Sequence, residues 1–189
     1  MVKIRSGSAA DAASIAAVQR AGWFAAYDGI ISRETIDRVT APDQGARVRQ
    51  TFRTRPWQRM IVAVAGTLDT PEPEDPGIVG YASFGPETDV LTGQWPPMLT
   101  DAGRDGLVAE LYALYVGPAW WSTGTGRALM DRVLARTRTA RYQSVVLWVL
   151  RDNARARRFY ERAGFTPDGA AHVLERLGGV TEVRYRRAL

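Results

Sequence analysis

The residues best suited to chemistry in this chain of 189 residues lie between Ala109 and Met130. Gly124 and Gly126 close a turn, Ala119–Thr123, and a segment with helical spacing follows, its apolar positions being Leu129, Met130, Val133 and Leu134. The turn is fed by a strand-length apolar run: Leu111, Tyr112, Leu114, Tyr115 and Val116. Gly117-Pro118 ends that strand, because proline offers no N–H to a ladder and fixes its own φ. A strand, a glycine turn and a helix start together suit a phosphate group. The first N–H groups of a helix lack intrahelical partners, the macrodipole makes that end partly positive, and glycine lets backbone approach a bulky anion. The same two glycines equally suit a tight turn that holds nothing.

Composition bounds what such a site can be. A length of 189 residues predicts one domain with a sizeable core. There is no cysteine, which excludes disulfides, thiolate metal sites and a cysteine nucleophile. His172 is the single histidine, which argues against a His-rich metal centre, and no metal is expected. The longest apolar runs, Met60–Ala65 and Val145–Leu150, are too short to cross a bilayer, and Met-Val-Lys-Ile-Arg has no signal-peptide core. A cytoplasmic protein without membrane contact is expected. The net charge is +5, carried almost wholly by arginine with Lys3 the one lysine. Acidic residues are interspersed and no base-reading motif is recognisable, so no nucleic-acid partner is expected. A basic face attracting an anionic cofactor fits the same charge.

The elements that must position the turn can be read in order. Val2–Arg5 reads as a strand, and Ser8 with Asp11 as a helix start. The helix carries Ile15 and Val18, then Trp23, Phe24 and Tyr27, before Gly29 breaks it. Helical pattern from about Ser32 to Phe52, interrupted near Pro42, precedes a hairpin of Arg59–Ala65 and Ile78–Phe84 joined by the Pro- and acid-rich stretch 69–76. The stretch 86–105 is long for a connection, and Trp95 and Met98 there suit either a lid or a surface insertion. Ser144–Leu150 reads as a strand covered on both faces. Asn153 caps a helix that ends at Gly164, and Thr181–Tyr185 reads as the last strand.

Two blocks of this pattern resemble the GNAT superfamily, the GCN5-related N-acetyltransferases. Val116-x-Pro118 followed by Trp121-Ser122-Thr123-Gly124-Thr125-Gly126 resembles the family's acetyl-CoA turn, Arg/Gln-x-x-Gly-x-Gly. Trp121 stands where Arg or Gln is usual, and Ser122 where a further glycine often sits. Asn153-Ala154-Arg155-Ala156-Arg157-Arg158-Phe159-Tyr160-Glu161-Arg162-Ala163-Gly164-Phe165 resembles the second signature, Asn-x-x-Ala-x-x-Phe-Tyr-x-x-x-Gly-Phe, at every defining position.

The resemblance implies an α/β (α+β) GNAT fold over residues 1–189 as a single domain. Its centre would be a mixed, mostly antiparallel sheet of about seven strands with splayed central strands and flanking helices. It implies acetyl-CoA as cosubstrate. Pantetheine would pair with the backbone of Leu114, Tyr115 and Val116, and the diphosphate would sit on the N–H groups of Trp121, Ser122, Thr123, Gly124, Thr125, Gly126 and Arg127. Asn153, Ala156, Phe159 and Tyr160 would complete the cofactor face. The implied reaction is direct attack of a primary amine, on a small molecule or a peptide, upon the thioester. Such attack needs a base, an oxyanion donor and an acid. Leu114 N–H is the oxyanion candidate, because in the family this strand is kinked and frees a donor there. Tyr160 is the acid candidate, or else a packed aromatic.

Glu110 is the base candidate, acting through water, or simply a carboxylate that attracts a cationic amine. It lies four residues before Leu114, so strand alternation predicts both side chains on one sheet face. Trp23, Tyr27 and Asp28, with Glu110, are the acceptor-side candidates, although aromatics at helical spacing such as Trp23 and Tyr27 are more often core than ligand box. A monomer or homodimer is expected. The alternative is a non-catalytic GNAT-like module that binds CoA or another ligand.

Overall fold

The computed structural model describes residues 2–66, 77–87 and 107–189. The stretch 69–76 and Trp95 and Met98, read as part of a lid or of a surface insertion, lie outside them. Strands β1 (Val2–Ser6), β2 (Arg59–Ala65), β3 (Ile78–Pro86), β4 (Val108–Val116), β5 (Ser144–Leu150), β6 (Thr166–Leu174) and β7 (Val180–Ala188) form one sheet, ordered β1-β2-β3-β4-β5-β7-β6. β4 and β5 run parallel, and every other neighbouring pair is antiparallel. The mixed, mostly antiparallel sheet of the sequence reading is therefore present.

Among the described residues five α-helices flank it: α1 (Ala12–Ala26), α2 (Arg33–Val39), α3 (Gln44–Thr54), α4 (Thr125–Thr139) and α5 (Ala154–Arg162). None among the described residues is long and apolar enough to cross a membrane. The start of α1 is fixed by Asp11. Its carboxylate accepts from the Ser8 N–H at 2.7 Å and takes a two-pronged bond from the Arg5 guanidinium at 2.8 and 2.7 Å. β1 and α1 are thus locked together at their junction.

Each sheet face has its own helices. Leu129, Met130, Val133 and Leu134 of α4 are all buried against Ala82, Leu111, Val145 and Leu147 on one face. Burying side chains of this size contributes roughly 2 kcal/mol apiece. On the other face Ile15 and Val18 of α1 and Val48 of α3 pack on Met60, Val62 and Tyr81. A third cluster joins Trp23, Ile31 and Ile36 to Leu150 and Leu177.

β6 is absent from the sequence reading, which has only a final section after Phe165. Its residues include Pro167, Asp168 and Gly169 and are largely exposed, as befits an edge strand, and its order comes from pairing with β7.

Candidate active site

β4 and β5 pair only from Val108–Leu111 against Ser144–Leu147. Beyond that point each continues as a strand, β4 to Val116 and β5 to Leu150, without the other. The sheet splays between them. A bulge in β4 accompanies the opening, for Ser83 pairs with Ala113 while Phe84 pairs with Leu111, leaving Tyr112 as the extra residue. Past the bulge, Gly117 N–H donates to Val79 C=O at 2.8 Å and Tyr115 lies opposite Tyr81. Antiparallel alternation then turns the N–H and C=O of Leu114 and Val116 away from β3, into the splay.

At the open end lies the turn into α4. Gly124 holds the N-cap position at φ +89, a left-handed conformation that side chains resist, and Ser122 sits at φ +63. Successive turns of this kind line up N–H groups as an anion-binding concavity. Trp121 N–H is consumed by Pro118 C=O at 3.2 Å. The six N–H groups from Ser122 to Arg127 make no hydrogen bond among the described residues. Thr123 Oγ1, which donates to Trp120 C=O at 2.8 Å and lies 2.9 Å from Thr125 Oγ1, pins the loop behind them.

α5 frames the splay from the β5 side. Asn153 Oδ1 accepts from Ala156 N–H at 3.0 Å and caps the helix. Its C-terminus closes with two bonds, Phe165 N–H to Tyr160 C=O and Gly164 N–H to Glu161 C=O, with Gly164 at φ +82. That closure seats Phe165 against the Tyr160 ring, at 6.2 Å between centroids. Tyr160 is buried, its hydroxyl makes no hydrogen bond among the described residues, and burial first, then nearby Tyr115, pushes its pKa up. The phenol keeps its proton at neutral pH.

On the opposite face of the splay is a cavity of about 700 Å³, walled by Trp23, Tyr27, Tyr115 and Trp148 and bearing Glu110, Glu182 and His172. Tyr115 hydroxyl accepts from Trp23 Nε1–H at 2.8 Å and lies 3.3 Å from the Tyr27 hydroxyl. Burial raises the Tyr27 and Tyr115 pKa values, so both stay neutral. Burial also raises that of Glu182; Arg176 opposes this and Glu110 adds to it. His172 Nε2 is 3.4 Å from Glu182 Oε2, and burial lowers the imidazole pKa, which leaves it neutral at pH 7. The arrangement offers an anion cradle on one side of a gap and an acidic, aromatic cavity on the other.

A family model, Acetyltransferase (GNAT) family, matches residues 34–165. The chain belongs to the GNAT family. Mycothiol acetyltransferase of Beutenbergia cavernae is 31% identical over 126 residues, which are 67% of this chain and 36% of that protein. The chain thus spans little more than a third of that relative. A probable N-acetyltransferase of Mycobacterium tuberculosis is 25% identical over 189 residues, covering 98% of this chain and 92% of its own. Among solved structures, the PaiA N-acetyltransferase of Thermoplasma acidophilum in complex with coenzyme A has a TM-score of 0.73 at 18% identity. The match covers 100% of this chain and 99% of that one, a likeness of fold.

Several GNAT expectations need correction. Glu110 and Leu114 do not share a face. Ala109 and Leu111 pack on the α4 side, and so do Leu114 and Val116, because the Tyr112 bulge shifts the alternation by one residue. Glu110 therefore points into the cavity with Ala113 and Tyr115, while Leu114 packs on the α4 side. Trp121 has no main-chain N–H to spare, and its Nε1–H donates to Val116 C=O at 2.8 Å, so that carbonyl is occupied too. The Tyr115 side chain lines the cavity. Asp28 is exposed, 3.8 Å from Arg33, and does not line the cavity. Trp23, Tyr27 and Glu110 do line it. Ala156 and Phe159 are half-buried against the α4-side core.

Sequence reasoning missed Glu182, His172 and Trp148. They reach the cavity only because β7 pairs with both β5 and β6, setting Glu182 opposite Leu150 and His172. The available signal was the single histidine, unused by any motif.

Proposed function

We propose that the protein transfers an acetyl group from acetyl-CoA to a primary amine of a small molecule or a peptide. One observation carries this reading: the splay between β4 and β5 joins six unpartnered helix-start amides to a cavity with two carboxylates. The residues present fit the cosubstrate. The amides from Ser122 to Arg127 bind its diphosphate, and the Leu114 C=O and the Val116 N–H, turned into the splay, pair with pantetheine as a neighbouring strand would, leaving the Leu114 N–H for the thioester. Acetyl-CoA supplies the acyl group as an activated thioester.

This chain's own groups do the rest. Glu110 and Glu182 draw an ammonium into the cavity, and the aromatic walls hold its apolar part. Glu110, on the acceptor side of β4, takes the proton from the amine through water, since only the neutral amine attacks. Leu114 N–H, freed beside the bulge, stabilises negative charge on the carbonyl oxygen. Tyr160, kept protonated by burial, gives its proton to the leaving thiolate.

A thiol-release screen over a panel of amines tests the reading. Amine-dependent release of free CoA from acetyl-CoA is the expected result. Tight CoA binding without turnover of any amine would favour a non-catalytic binding module.

A further inference from the structure

The anion cradle is built of amides, and the Trp121 side chain at its edge has no donor to add. Trp121 has spent both its donors, its N–H on Pro118 and its Nε1–H on Val116. Those two bonds fix the plane of the indole beside the splay. Over that plane lies the guanidinium of Arg155, from the first turn of α5, at 4.0 Å from the ring centroid.

The arginines nearby differ in how they are committed. Arg157 donates to Tyr185 hydroxyl at 3.0 Å and to Arg151 C=O at 3.2 Å. Arg127 lies 3.6 Å from Asp131 and is largely exposed. Arg155 makes no ion pair or hydrogen bond among the described residues, and its guanidinium lies on the indole face. It is an exposed guanidinium whose five donors are unspent, already held in one place. A side chain ordered before its ligand arrives loses less entropy on binding.

We propose that Arg155, stacked on Trp121, is the guanidinium that binds a phosphate group of CoA, so that the cation is delivered from α5 across an indole shelf. The inference rests on the proposed function for its ligand and adds a binding residue to that site. Trp121 acts as a positioning residue. Its ring sets the guanidinium, and no polar atom of Trp121 touches the ligand.

The test is isothermal titration of the full chain with CoA and with 3′-dephospho-CoA. Arg155→Ala is expected to weaken CoA binding about tenfold, equivalent to about 1.4 kcal/mol. An equal loss for 3′-dephospho-CoA assigns the contact to the diphosphate; a loss confined to CoA assigns it to the 3′-phosphate. Arg155→Lys keeps the charge without the planar fork and should recover only part of the affinity. Trp121→Arg in the Arg155→Ala background should recover most of it by putting a guanidinium on the turn itself. Wild-type affinity in Arg155→Ala, or no recovery in the double variant, overturns the assignment while leaving the proposed function intact. A wild-type chain that does not bind CoA overturns both.

Discussion

Trp23 Nε1–H donates to the hydroxyl of Tyr115 across 2.8 Å, tying the last turn of α1 to β4 just beyond the point where the sheet opens. The bond joins two residues 92 apart in sequence and sets one wall of the cavity. Trp23→Phe keeps the ring but removes the donor. The expected cost is about 1 kcal/mol in a urea titration. Acceptor KM should rise while CoA affinity stays unchanged.

The turn at the start of α4 holds a serine in a conformation that favours glycine, with Ser122 at φ +63. Ser122→Gly should relieve that strain and stabilise the chain by up to about 1 kcal/mol. Gly124→Ala, at φ +89 with open space around the added methyl, should cost about as much through backbone strain alone. Thermal melts of the two variants should therefore shift in opposite directions.

Asp11 gives a pH signature independent of the active site. The hydrogen bonds from Arg5, foremost, hold its carboxyl below the ordinary 3.8 in the folded chain, against the effect of burial. A carboxyl depressed on folding contributes stability that is fully present above 3.8 and is lost as pH falls through its folded value. Asp11→Ala should cost about 2 kcal/mol at pH 7. The gap from wild type, read by denaturation at a series of pH values, should narrow as pH drops below 3.8.

How much of this was legible depended on how local each cause is. The block from Asn153 to Phe165 carries its own cap, its own C-terminal closure and the packing of Tyr160 on Phe165, all within thirteen residues, and its reading as an Asn-capped helix closed at Gly164 stands. Ser144–Leu150 is read to the residue, since continuous apolar character marks a strand covered on both faces. The direction of Glu110 was not legible. It depends on the bulge at Tyr112, which exists only in the pairing of β4 with Ser83 and Phe84. Glu182 and His172 were hidden for a related reason: nothing in residues 166–174 announces a strand, and only the pairing with β7 turns His172 toward Glu182.

Tyr160 and Glu110 separate chemistry from binding. Tyr160→Phe keeps the ring that packs between Phe159 and Phe165, so fold and CoA affinity should hold. Turnover of the amine found by screening should fall about a hundredfold. Glu110→Gln should lower kcat most at acid pH, where the amine depends most on a base, and rising pH should restore part of the rate.

The central claim is that the unpartnered amides from Ser122 to Arg127 grip the diphosphate of a CoA thioester. Thermal unfolding with and without millimolar acetyl-CoA tests it most directly. At a hundredfold excess over Kd, binding adds about 2.7 kcal/mol. For a chain of this size that raises Tm by roughly 5–10 °C. An unchanged Tm with both acetyl-CoA and CoA would contradict the account.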